Sequence, residues 1–123
     1  MPVIEHKFYY IAMASPDPDH IRYAQIAAAA ARYIQCSRFT AEEEAAAIAE
    51  LAQAAAGRAD LLAERAGIAL GFSEGGLERA RNRQIAELCI AAGADEALIG
   101  RWIEVGRELA ARVRAIPSCR PAQ

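Results

Sequence analysis

Glycine, paired cysteines and long apolar runs are all scarce in this chain, and each shortage removes a class of protein. Eight glycines in 123 residues are too few for a turn-dense β-sandwich, whose short strands need turn residues at close intervals. The three cysteines, Cys36, Cys89 and Cys119, stand far apart with no Cys-x-x-Cys pair, so neither a disulfide framework nor a preorganised metal site is expected. Cys36 and Cys89 read as small core thiols and Cys119, between Pro117 and Pro121, as a tail thiol. Long apolar runs are missing too. Phe8 to Ala14 is short and Ala27 to Ala31 is flanked by Gln25 and Arg32, against the roughly 18 residues that a membrane span needs. Met1 to Lys7 shows no basic leader feeding an apolar stretch, and the expectation is a cytoplasmic protein with no membrane partner.

No charge of one sign dominates. A formal charge of −2 gives no general field for drawing the molecule onto nucleic acid or anionic lipid. Residues 1–60 carry five basic and eight acidic side chains, whereas 97–123 carry five arginines against Glu104 and Glu108, so the C-terminal end is locally basic. Lys7 is the only lysine; the excess of arginine and alanine reads as coding bias and carries no functional weight.

Catalytic constellations are equally sparse. The only histidines, His6 and His20, lack the Glu-x-x-His or His-x-x-x-His spacing of a helix-borne metal site. Nothing in the spacing joins His20 to Cys36 or Ser37 as base and nucleophile, so His20 reads as a surface residue at a helix start. The segment Gly71-Phe72-Ser73-Glu74-Gly75-Gly76 has no lysine and carries an acid, which makes it a turn rather than a phosphate loop. No enzymatic activity and no cofactor are expected.

What the chain does have is alanine, 31 residues of it, and alanine is the strongest helix former. The expected fold is all-α: a compact bundle of about five helices built from αα-hairpins over residues 15–117, with an N-terminal arm over 1–14 and a flexible tail over 118–123. Asp17 and Pro18 open a helix over 18–36, with Tyr23, Ile26, Ala27, Ala30 and Ile34 inward. Thr40 and Glu43 form a capping box, and Ile48, Leu51, Ala52 and Ala55 face the core until Gly57 stops that helix. Asp60 is expected to cap a short helix over 61–71, closed by Gly71 and the Gly75-Gly76 pair. A fourth helix over 76–92 turns Leu77, Ile85, Leu88 and Cys89 inward and stops at Gly93. The last begins near Asp95, and its Leu98, Trp102, Val105, Leu109, Val113 and Ile116 step down one face expected to be the core face, with Glu108 and Arg112 as an i,i+4 pair on the flank, until Pro117.

Two of these hairpins resemble one another. Ile48-Ala49-Glu50-Leu51, Gly57, Leu62 and Arg65 recur as Ile85-Ala86-Glu87-Leu88, Gly93, Leu98 and Arg101, a period of the length that stacked helical hairpins use. In the second copy Ile85-Ala86-Glu87-Leu88-Cys89, the turn at Gly93, and Ile99 and Trp102 as core positions also resemble the helix-turn-helix of small DNA-binding domains, over residues 84–106. That resemblance implies a DNA-binding regulator, and Arg79, Arg83, Arg101, Arg107 and Arg114 are its candidate nucleic-acid contacts. The groove-facing residues would be Asp95, Glu96, Ala97, Gly100, Arg101 and Glu104, an acidic set where phosphates and base edges normally meet cations and amides. Nucleic acid is therefore the disfavoured alternative. The leading expectation is an interaction or regulatory module that binds a protein partner or itself, as a homodimer. Residues 3–13 have the β-branched and aromatic content of a strand but also helix-spaced Ile4, Phe8 and Ile11. A single strand needs another chain, or else lies across its own helices as an extended arm; the first of these makes Phe8, Tyr9, Tyr10 and Ile11 the candidate partner-binding residues.

Overall fold

The computed structural model describes residues 17–33, 40–76 and 78–116. Among these residues the chain forms five α-helices and no strand: α1 Pro18–Ala31, α2 Ala41–Ala55, α3 Ala59–Glu74, α4 Arg79–Ala91 and α5 Glu96–Ala115. The all-α bundle is thus observed. The arm over 1–14, with Phe8, Tyr9, Tyr10 and Ile11, lies outside the described residues, as do Cys36, Cys119 and the tail. No described helix is long and apolar enough to cross a membrane.

Local chemistry sets most helix starts. The Asp17 carboxylate accepts from the Asp19 amide at 2.9 Å ahead of Pro18. Thr40 Oγ1 accepts from the Glu43 amide at 3.1 Å while the Glu43 carboxylate accepts from the Thr40 amide at 3.3 Å; such a cap contributes about 1 kcal/mol. Asp95 accepts from the Ala97 amide at 3.1 Å. Both helix-glycine-helix units carry a glycine at positive φ after their first helix, Gly57 at 83° and Gly93 at 113°. The residue before it, however, is left-handed at Ala56 and right-handed at Ala92, and the consecutive helices that pack on each other as αα-hairpins are α1 with α2 and α3 with α4, not these units.

Two expectations about α3 are corrected. Asp60 is not its cap. Arg58 occupies that position and makes no side-chain capping bond, since a guanidinium has no acceptor for the first amides; it donates instead to Asp60, through Nε at 3.0 Å and Nη2 at 2.9 Å, and to Asp19 at 2.5 Å. These bonds hold both carboxyls below the usual Asp value. Nor does Gly71 end the helix, which continues to Glu74; Gly71 is buried where α3 meets α5.

The enlarged α3 is the centre of the bundle. Leu61, Leu62, Ala63, Ala66, Ile68 and Ala69 are buried around its circumference, as expected of a helix enclosed by others. It packs most extensively on α5, then on α4, and also touches α1, while α2 lies against α1 and α4. Ile26, Leu51, Leu62, Ile85, Leu88 and Cys89 share one core. On α2 the inward residues are Ala47, Leu51 and Ala55; Ile48 is half-buried and Ala52 exposed. Cys89 is the core thiol expected from the sequence, and burial pushes it up to about 11. Arg65, 4% exposed, is enclosed on α3 and its charge acts on that thiol in the opposite direction.

Half-buried Glu64 gives the fold a pH dependence. Burial, with the nearby charges of Asp60 and Asp19, pushes its carboxyl from 4.5 up to about 7. The folded chain then holds this proton more tightly than the unfolded one, so the associated stability is full below the unfolded value and is lost as pH rises through the folded one. Thermal melts between about pH 5 and pH 8 should show Tm falling with rising pH, and Glu64→Gln should flatten that fall. A slope unchanged in Glu64→Gln would assign it to other groups.

Candidate functional site

The surface that stands out is one side of α5, and it arises from how α5 sits on α3. Residues advance about 100° per step around a helix. The apolar stripe Leu98, Trp102, Val105, Leu109, Val113 and Ile116 was expected to face the core, but the buried residues of α5 are Ile99, Gly106 and Ala110. The helix is thus turned by about one residue from the orientation that its largest side chains would choose.

Small residues on both helices explain the turn. A Cβ built at Gly67 would lie 2.5 Å from Trp102 Cβ and 2.6 Å from the Ile99 carbonyl oxygen; one at Gly71 would lie 2.8 Å from the Arg107 amide nitrogen; one at Gly106 would lie 2.9 Å from the Phe72 amide nitrogen. The two backbones therefore touch through glycine, and the contacts advance along both helices in the same direction, from Gly67 with Ile99 to Gly75 with Ala110. Gly67, Gly71 and Gly75 repeat at four residues, the spacing of an i±4 ridge. The Asp95 amide also donates to the Ala59 carbonyl at 3.1 Å, which brings the start of α5 to the start of α3. Close approach along this line leaves the bulky stripe at the margin of the contact. Leu98, Trp102, Val105, Leu109 and Val113 are half-buried, and Ile116 is 41% exposed.

The charges along α5 divide into two groups. On the side away from the stripe Arg107 bonds to both Glu74, at 3.1 Å through Nη2, and Glu104, holding the Glu74 carboxyl below its usual value. Arg114 donates to the Gly75 carbonyl at 3.3 Å. Flanking the stripe on its solvent edge are Arg101, Glu108 and Arg112, all exposed, and none of the three makes an ion pair with any described residue.

The candidate nucleic-acid arginines are consequently not one surface. Arg107 and Arg114 are engaged with α3 and its end, Arg101 lies about 120° around the helix from Arg107, and Arg79 and Arg83 stand on α4. The helix pair that the helix-turn-helix resemblance would use as a unit is also not packed as one, since α4 and α5 each pack chiefly on α3. Among the described residues no group of three or more His, Cys, Asp or Glu could hold a metal. Gly67 and Gly106 have no local signal that marks them beyond the four-residue glycine repeat for the first; the i,i+4 pair expected between Glu108 and Arg112 does not form, since neither side chain makes an ion pair with any described residue. No family model, no curated protein and no solved structure matches the chain.

Proposed function

We propose that this protein is a non-enzymatic interaction module whose contact surface is the outward stripe of α5. The observation that carries this reading is a continuous line of large apolar side chains, centred on Trp102 and Val105, left at the margin of the bundle along most of a 20-residue helix. Contact surfaces are built this way, with an aromatic anchor among aliphatic side chains and charged groups at the rim. The N-terminal segment with Phe8, Tyr9, Tyr10 and Ile11 is a second contact element under the same reading, supported by its aromatic composition.

Val105→Lys and Leu109→Lys test the surface. Both positions are half-exposed, so each variant should keep its helical circular dichroism and lose only a few degrees of Tm, about 5 °C at most. Association of the full chain in native mass spectrometry, with itself or with a purified binding protein, should be lost in both. Variants that associate as strongly as the parent would overturn the assignment to α5.

A further inference from the structure

With Arg112 taken in place of Val113, the stripe follows a heptad seam. Positions 98, 102, 105, 109, 112 and 116 advance alternately by four and three residues, the spacing with which two helices interlock. Only one of them, Arg112, is charged, and it makes no ion pair with any described residue, nor do Arg101 and Glu108 beside the seam. These charges choose the partner. Opposite signs at Arg101 and Glu108 have no use for a neutral or purely basic partner helix, but they answer each other if the same helix is laid alongside in reverse.

We propose that α5 pairs antiparallel with α5 of a second copy of this chain, about a dyad between Ile103 and Glu104. This inference rests on the interaction reading above and names its partner. In that register Trp102 meets Val105 of the second copy, Leu98 meets Leu109, and each contact occurs twice by symmetry. Arg101 stands beside Glu108 of the second copy, and Arg112 reaches Asp95, whose exposed carboxylate caps α5 and sits at the seam position seven residues before Trp102. A shift of the dyad to the middle of the seam, near Arg107, would set Glu108 against Glu108 and leave Arg101 opposite Ala115, so the charges select the shorter overlap. Four apolar layers of this kind bury less than the roughly 800 Å² per partner of a standard interface. The dimer is accordingly one of moderate affinity, with a dissociation constant of about 10–100 µM.

Sedimentation equilibrium of the full chain over about 1–300 µM reads this directly. The parent should dimerise, and Arg101→Glu and Glu108→Arg should each weaken dimerisation about tenfold or more by setting like charges together. Mixing the two single variants should then give a heterodimer close to the parent in affinity, because each repels itself and complements the other. The double variant Arg101→Glu/Glu108→Arg should recover dimerisation as well. A structural role for either residue within one chain cannot produce rescue on mixing. A parent that stays monomeric throughout overturns the pairing, and Val105→Lys then decides the broader reading by whether a heterologous partner is lost. A dimer that survives both reversals but is lost in Phe8→Ser moves the interface to residues 1–14 and equally overturns the pairing.

Discussion

Gly71→Val is expected to destabilise the fold by about 3 kcal/mol, with a fall in Tm of about 10 °C or more. The new side chain has nowhere to go. Its Cβ alone would fall within 3.0 Å of the Ile103 carbonyl oxygen and the Arg107 amide nitrogen, which are backbone atoms of a hydrogen-bonded helix and cannot swing aside as a flexible side chain could. Relief requires α5 to move off α3, which opens the most extensive helix contact in the molecule. The control is Gly100→Ala. Gly100 is also inside α5 but has no neighbour within 4 Å of a built Cβ, so only backbone entropy responds and Tm should rise, for a gain of roughly 0.5–1 kcal/mol. Opposite signs for the two substitutions isolate the close crossing from glycine's general helix penalty. A Gly71→Val protein as stable as the parent would mean that α3 and α5 do not meet backbone to backbone.

That same glycine shows where sequence reasoning stops. Read locally, Gly71 ahead of Gly75 and Gly76 is helix punctuation, and nothing in a single segment says that another helix presses on it. The capping box at Thr40 and Glu43 and the caps at Asp17 and Asp95 were legible because every participating atom lies within three residues. Asp60 looked equivalent, yet its carboxylate is taken by Arg58, which also reaches Asp19 across 39 residues of chain. Competition of this kind is invisible without the tertiary fold. The seam of α5 was legible as a set of apolar positions but not in its direction. Amphipathicity predicts that the largest side chains turn inward, whereas the glycine ridge of α3 admits a closer partner along the line of Ile99, Gly106 and Ala110. Likewise Arg107 and Arg101 are indistinguishable in sequence until Glu74, 33 residues earlier, is found beside one of them.

The repeat suggested by sequence illustrates the same limit. Leu51 and Leu88 occupy equivalent places in the two repeat units and are both buried, at 0% and 3% exposure. Their counterparts further on diverge, since Arg65 is enclosed whereas Arg101 is exposed. Equivalence survives where both units contribute to the common core and fails where α3 is enclosed and α5 is not.

Leu51→Ala should produce the other large loss, about 3 kcal/mol, because truncating a fully enclosed leucine forfeits its burial and leaves a cavity that its neighbours fill only in part. Leu51 belongs to α2, which lies against α1 and α4, and it shares the core with Ile26, Leu88 and Cys89. The deficit should therefore appear in the whole cooperative unit, not in one frayed helix. Cys89 supplies a probe of that. Its thiol is buried and raised to about 11, so it cannot react as a thiolate until the core opens. In a Cys36→Ser/Cys119→Ser background, labelling of Cys89 by an aromatic disulfide follows the population of the open state whenever reclosing outpaces reaction. A loss of about 3 kcal/mol then corresponds to labelling roughly a hundredfold faster in Leu51→Ala. Ile116→Ala, on a side chain 41% exposed beyond the end of α5, should leave the rate nearly unchanged. If Leu51→Ala lowered Tm but left the Cys89 rate at the parent value, α2 would be detaching from a core that otherwise holds, and the five helices would not form one cooperative unit.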